Sequence, residues 1–398
     1  MINNFTIPAH EINTRITKVQ QKLQQWDING LLIIQRMDLF YFAGTAQNGA
    51  LYVPADGDPI LFILKYMPRA IIESPLKNII EIKSIKEIPG LILDFFKEFP
   101  NILGLEFDVL PVKDFHFYQS FLSAQEYVDG SPLIMETRMI KSDWEIDQMD
   151  HTAELSRKTF EYMCSEIGPG MTEMEFAGIC ETFARKMGHG AGLRNRHYQA
   201  EGYPWHILSG QSGGMVGLLD APTSGMGTSP AFPCGAGSKR LAANEPIMID
   251  FGTVLNGYHI DETRMFAIDS MPDKALEACN AAIEIHSMIL RKAKPGVTLG
   301  DLFQMAVAKA DSLGYAEQFL GPPGYKVTFI GHGIGLELVE QPIIAKNRDI
   351  PLEPGMTFAL EPKMVFENEF AAGIESVFQV TKTGSRLISK VPVEVFIC

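Results

Sequence analysis

Hydrophobic and polar positions alternate along the chain in two rhythms. Residues 11–26 place apolar side chains at helical spacing, whereas 30–35, 50–54 and 59–64 are short apolar runs of strand type. The last two are joined through Asp56-Gly57-Asp58, a turn signal. An apolar run at 101–107 and a helical pattern at 112–124 extend this α/β alternation. Ser142 with Glu145 three residues on has the capping-box arrangement, predicting a helix to about 167 that stops at Gly168-Pro169-Gly170. Thr172 caps a second helix to 187. From 188 to 240 the rhythm is lost in a stretch rich in Gly, Pro and Ser, read either as surface loop or as loops walling a cleft. Strand patterns at 247–268 and 357–381 then flank helices at about 272–293 and 298–313. The fold class expected is α/β (α+β), with an N-terminal α/β domain over 1–135 and a second domain over 136–398.

The strand patterns carry the chemistry. In IMIDFGTVLNGYHIDETRMF, Asn256-Gly257 is the strongest short hairpin signal. With those residues as the turn, Leu255 pairs with Tyr258, Gly252 with Asp261 and Asp250 with Thr263. Asp250 and Asp261 become diagonal neighbours on one face, roughly 7–8 Å apart at the backbone, and Gly252 leaves space for an ion. A reversal centred on Asn368 sets Glu361 opposite Glu375. Like charges so opposed repel unless one is protonated or a cation lies between them. One inward acid is usually a solvated strand residue. Four on apolar strands are a different matter, because burying them uncompensated costs many kcal/mol. His332, between the glycines of IGHGIG, reads alone as a structural histidine. With the four acids it makes a mixed N/O donor set suited to Mn²⁺, Co²⁺, Fe²⁺ or Zn²⁺.

Composition narrows the partners. A formal net charge of −14 argues against nucleic acid and anionic membranes. Cys164, Cys180, Cys234, Cys279 and Cys398 are scattered and odd in number, so no disulfide framework and a reducing compartment are expected. The N-terminus shows no secretory pattern, and the apolar runs at 30–34 and 59–64 are too short to span a bilayer. A soluble cytoplasmic protein is expected.

DFG at 250–252, DETR at 261–264, GHGIG at 331–335, LEP at 360–362 and IES at 374–376 together resemble the five-ligand signature of the pita-bread metallopeptidases. That family includes aminopeptidase P, prolidase, methionine aminopeptidase and creatinase. TRMIKSDWEI at 137–146 resembles the start of the catalytic domain in members with an N-terminal α/β domain. The resemblance implies a creatinase-like N-terminal domain, a pita-bread catalytic domain, two divalent ions with Mn²⁺ favoured, and a homodimer. It makes Asp250, Asp261, His332, Glu361 and Glu375 the metal ligands, with Glu361 also transferring the proton. Arg264, Thr263 and Glu340 are the candidates for supporting those ligands.

Two departures bear on the substrate. Val339 stands where peptidase members carry a second histidine, and SGQSGGMVGLLD has none where they carry an upstream one. His259, on the face of Asp261, and His206, in YPWHILSG, are the candidate replacements, each alternatively a structural histidine. Tyr203 and Trp205 beside His206 are candidates for an apolar wall or for core. The leading expectation is a dinuclear Xaa-Pro peptidase-like metallohydrolase cleaving a peptide C–N bond with a metal-bound hydroxide. The missing imidazoles also admit a creatinase-like or lyase-type enzyme for a small zwitterionic metabolite. A non-catalytic binding protein on the same fold would typically have lost ligands, and here five stand.

Overall fold

The computed structural model describes residues 5–196 and 205–398. By their internal contacts these form two compact units, one running to Arg138 and joined by Arg196, the other made of the rest. The first unit is a six-stranded mixed sheet in the order 78–81, 60–63, 49–54, 30–33, 102–105, 126–129. Leu32, Phe62, Ile88 and Leu103 lie in its core. A helix at Arg36–Ala43 goes unpredicted by periodicity. Eight residues are too few to show a stripe, and its ends are set by the Gln35 side chain and by Gly44 at φ 75°. Among the described residues no helix is long and apolar enough to cross a membrane.

The second unit contains every candidate site residue. Its helix Asp143–Glu166 starts on the Ser142–Glu145 capping box, and Thr172 with Glu175 caps Glu173–Lys186 in the same way. The hairpin Ile247–Leu255 with Tyr258–Ala267 has the register that an Asn256-Gly257 turn requires, pairing Gly252 with Asp261 and Asp250 with Thr263. Ile247, Ile249 and Phe251 pack with Phe160, Met163 and Phe176 of the two helices. The two-residue alternation of a strand therefore turns Asp250 and Gly252 to the opposite face.

A single hairpin is expected over 357–381, and the structure divides it. Thr357–Leu360 and Ser376–Val380 belong to a five-stranded antiparallel sheet, while Lys363–Phe366 and Phe370–Gly373 form a separate ribbon. Pro362 lacks the N–H that would carry the ladder across the gap. Register survives the break, since Leu360 faces Ser376 and Lys363 faces Gly373. Glu361 and Glu375 consequently stand opposite each other at the interruption.

One expectation is corrected. Cys164 and Cys398 are joined by a disulfide across a sequence separation of 234. Spacing along the chain could not show this. The short strand Phe396–Ile397 pairs with Phe266 and Ala267 and so carries Cys398 to the end of the helix bearing Cys164. Trp205 stacks on Phe251 with ring centroids 3.7 Å apart and belongs to the core, while Tyr203 lies outside the described residues.

Candidate metal centre

Four elements bring the five predicted ligands to one cavity: the hairpin (Asp250, Asp261), the strand Phe329–Gly333 (His332), and the two sides of the interrupted pairing (Glu361, Glu375). His332 Nδ1 lies 3.0 Å from the Gly333 carbonyl and donates to it, so that in the neutral ring the lone pair is on Nε2. That Nε2 lies 3.9 Å from Asp261 Oδ2, 3.8 Å from Glu361 Oε1 and 3.9 Å from Glu375 Oε1. These separations are too long for hydrogen bonds. They suit donors sharing one cation, since atoms each about 2.1 Å from an ion stand roughly 3–4 Å apart. Asp261, His332 and Glu375 form a buried group of ligand atoms all within 4.8 Å of one another, and Glu375 Oε1 has no hydrogen-bond partner among the described residues. A divalent ion fits these three residues.

Asp250, and Glu361 through Oε2, face something else. Lys363, which sequence reasoning passed over, directs its ammonium into the cluster. Its Nζ lies 3.0 Å from Asp250 Oδ2, 2.9 Å from Glu361 Oε2 and 3.0 Å from Glu375 Oε2. The signal was available: Lys363 is two residues beyond Glu361, hence on the same strand face. The charges respond accordingly. Burial opposes ionisation of Asp250, but the Lys363 ammonium overrides it and holds that carboxyl below the usual range. Burial, with Glu375 and Asp250 alongside, pushes Asp261 well above that range. Burial and the neighbouring Glu361 push Glu375 up to about 8 even against Lys363. A cation where the donor atoms converge would relieve the burial cost and repulsion that raise these two carboxyls.

Thr263 and Arg264 both donate hydrogen bonds to Glu375, one of the predicted ligands. Thr263 Oγ1 donates to Glu375 Oε2 at 2.9 Å. The fully buried Arg264 donates to the carbonyls of Thr263, Glu375, Val391 and Pro392 and lies 3.8 Å from Glu262. Arg264→Met is expected to lower stability by about 3–5 kcal/mol, because it orphans a buried carboxylate and several carbonyls. Urea unfolding measures this, and a loss below about 1 kcal/mol contradicts that role.

Two other candidates lie elsewhere. His259 shares the predicted face but not the cavity: Nδ1 donates to Gly335 O at 3.1 Å and Nε2 accepts from Arg194 N at 3.3 Å. Both nitrogens are spent on backbone, so His259 is corrected to a structural role. Glu340 accepts from Lys141 Nζ at 2.9 Å and from the Glu337 amide at 3.1 Å. His206 is in place. It pairs across the strand with Asp250, its Nδ1 lies 3.8 Å from Asp250 Oδ2, and its buried Nε2 has no partner among the described residues. The cavity, of about 290 Å³, is polar at the carboxylates and apolar where Leu193, Leu219, Phe329, Leu338, Val339 and Ile343 line it. Part of the Gly-rich stretch therefore does wall the cleft.

Comparison with known proteins identifies the family of both domains. Residues 147–382 match metallopeptidase family M24, and 15–140 match the creatinase/prolidase N-terminal domain. An Xaa-Pro dipeptidase of Pyrococcus furiosus is 25% identical over 386 residues, 94% of this chain and 97% of its own. Among solved structures, the Xaa-Pro dipeptidase from Bacillus anthracis superposes with a TM-score of 0.83 at 24% identity, covering 97% of this chain and 100% of that one. The X-Pro aminopeptidase from Thermotoga maritima gives 0.79 at 23%, covering 96% and 99%. The chain is a metallopeptidase of family M24, with a creatinase/prolidase-type N-terminal domain and a pita-bread catalytic domain.

Proposed function

We propose that this metallopeptidase hydrolyses the bond before proline in short Xaa-Pro peptides, using a divalent first-row ion held by Asp261, His332 and Glu375. The observation that carries the reading is the convergence of the free His332 lone pair and the unpartnered Glu375 oxygen on one buried space. An ion there supplies Lewis acidity and lowers the pKa of water. The chain's own groups do the rest. Glu361 commits Oε2 to Lys363 and keeps Oε1 on the cavity side, placed to take a proton from the attacking water and return it to the leaving amine. His206 offers Nε2 to the substrate carbonyl or carboxylate. The apolar wall excludes water around a compact ring such as that of proline.

A second reading has its own observation. Val339 lines the cavity where peptidase members carry an imidazole, which suits a small zwitterionic substrate with fewer polar contacts. The Mn²⁺-loaded enzyme is to be tested on Xaa-Pro dipeptides beside creatine and other small zwitterions. Metal-dependent turnover of the dipeptides supports the first reading; turnover confined to the small zwitterions replaces it with the second.

His206→Ala is expected to lower kcat/KM by about 10²-fold, the usual contribution of one positioned proton-transfer or hydrogen-bonding group. Bound metal should stay the same, since His206 is not a member of the three-residue group. Steady-state kinetics within threefold of wild type would remove His206 from the site.

A further inference from the structure

From the placement of Lys363 among the carboxylates we infer that its ammonium permanently occupies one of the two cation positions of the five-ligand centre, so that the centre binds one divalent ion per chain. This rests on the metallopeptidase reading for its context and on Lys363 for its substance.

The geometry is specific. An ammonium has three N–H donors, and three carboxylate oxygens from three of the predicted ligands lie 2.9–3.0 Å from Nζ. They are Asp250 Oδ2, Glu361 Oε2 and Glu375 Oε2. An ion held through those same three oxygens would need the volume that Nζ fills. Lys363 is only 3% exposed, so it has no solvent into which to withdraw. With every donor committed, Nζ has none left for a substrate. Lys363 is therefore a positioning cation that holds Asp250 and Glu361 in place.

Two further observations support this. Gly373 is the cross-strand partner of Lys363, and a Cβ built there would meet Lys363 Cγ at 2.5 Å and Cβ at 3.1 Å. The missing side chain is what admits the lysine stem. Charge balance agrees: with metal bound and all four carboxylates ionised, Asp250, Asp261, Glu361 and Glu375 bring four negative charges, and Lys363 returns one. One divalent ion then leaves a residue of −1. A second would leave +1, with two metal ions and an ammonium crowded among four carboxylates.

The test is metal stoichiometry, read without reference to activity. The purified full chain is stripped with chelator, reloaded with excess Mn²⁺, freed of unbound metal and analysed by plasma mass spectrometry, with spin-resonance spectra of the same samples. Wild type is expected to hold about one ion per chain with the signal of isolated Mn²⁺. Lys363→Gly, which removes the tethered cation, is expected to take up a second ion and show exchange coupling between the two. Lys363→Gln, close in size but uncharged, serves as the second variant, with circular dichroism and melting confirming that each is folded. Two tightly held ions in wild type overturn the inference whatever the variants do. So does a folded Lys363→Gly that still holds only one. If wild type holds one ion and cleaves no Xaa-Pro peptide, the inference stands and the peptidase reading falls.

Discussion

Alanine at His332 is expected to strip the protein of its divalent ion and to lower kcat/KM by roughly 10³-fold or more. His332 is the only nitrogen donor of the three-residue group, and its Nε2 is prepared for the role by the Nδ1 contact to Gly333 O. Removing it leaves Asp261 and Glu375 as the remaining members of that group, both already pushed up by burial and by neighbouring carboxylates. A catalytic ion supplies several kcal/mol of transition-state stabilisation, and each 1.36 kcal/mol corresponds to tenfold in rate. The secondary structure should be unchanged, because the Gly331–Leu360 and Gly333–Phe358 pairs that hold the strand are backbone pairs. Metal analysis and kinetics on the same preparation check this. Full metal content with unaltered kinetics would place the ion elsewhere.

The second large effect concerns acid. Burial pushes His259 down to about 4 and His286 down to about 3, the latter also repelled by Arg264. Above pH 6.5, where an unfolded histidine is neutral, neither affects stability. Below it the unfolded chain takes up protons that the native rings refuse. Each histidine then costs about 1.4 kcal/mol per pH unit until its native pKa is approached. Stability contributed by these rings is therefore present above 6.5 and lost as pH falls toward 4.

Neither nitrogen of His286 has a hydrogen-bond partner among the described residues, so an apolar side chain should serve better there. His286→Leu is expected to be at least as stable as wild type at pH 7.5 and more stable than it by about 2–3 kcal/mol at pH 4.5. The comparison isolates His286. Asp261 and Glu375, whose carboxyls are raised, oppose this trend as pH changes, but they do so alike in both proteins. Urea unfolding at several pH values supplies the difference curve; parallel curves would exclude the buried neutral ring as the cause.

Much of this site was legible in the sequence because strand alternation and one turn dipeptide act locally. Asn256-Gly257 sets the register that brings Asp250 and Asp261 to one face, and Asn368 sets Glu361 against Glu375 even though Pro362 splits the sheet between them. What escaped depends on contacts between distant segments. The face of His259 is predicted, but the backbone of Arg194 and Gly335 claims its ring. Lys363 was within reach of the same alternation rule. It was overlooked because a lysine near acids normally points to solvent, and only the space over Gly373 lets it turn inward. The Cys164–Cys398 bond depends on a two-residue strand at the far end of the chain, which no local pattern announces.

The Lys363–Gly373 pair also bears on how the enzyme lives with a fluctuating metal supply. A cation attached by its own side chain cannot dissociate, be scavenged by a chelator or be exchanged for a competing ion. A centre that must recruit two independent ions loses active enzyme with the square of free metal when supply falls below the dissociation constant. With one position filled in advance the loss is only proportional. At a tenth of that constant, about a tenth of the molecules remain loaded instead of about a hundredth.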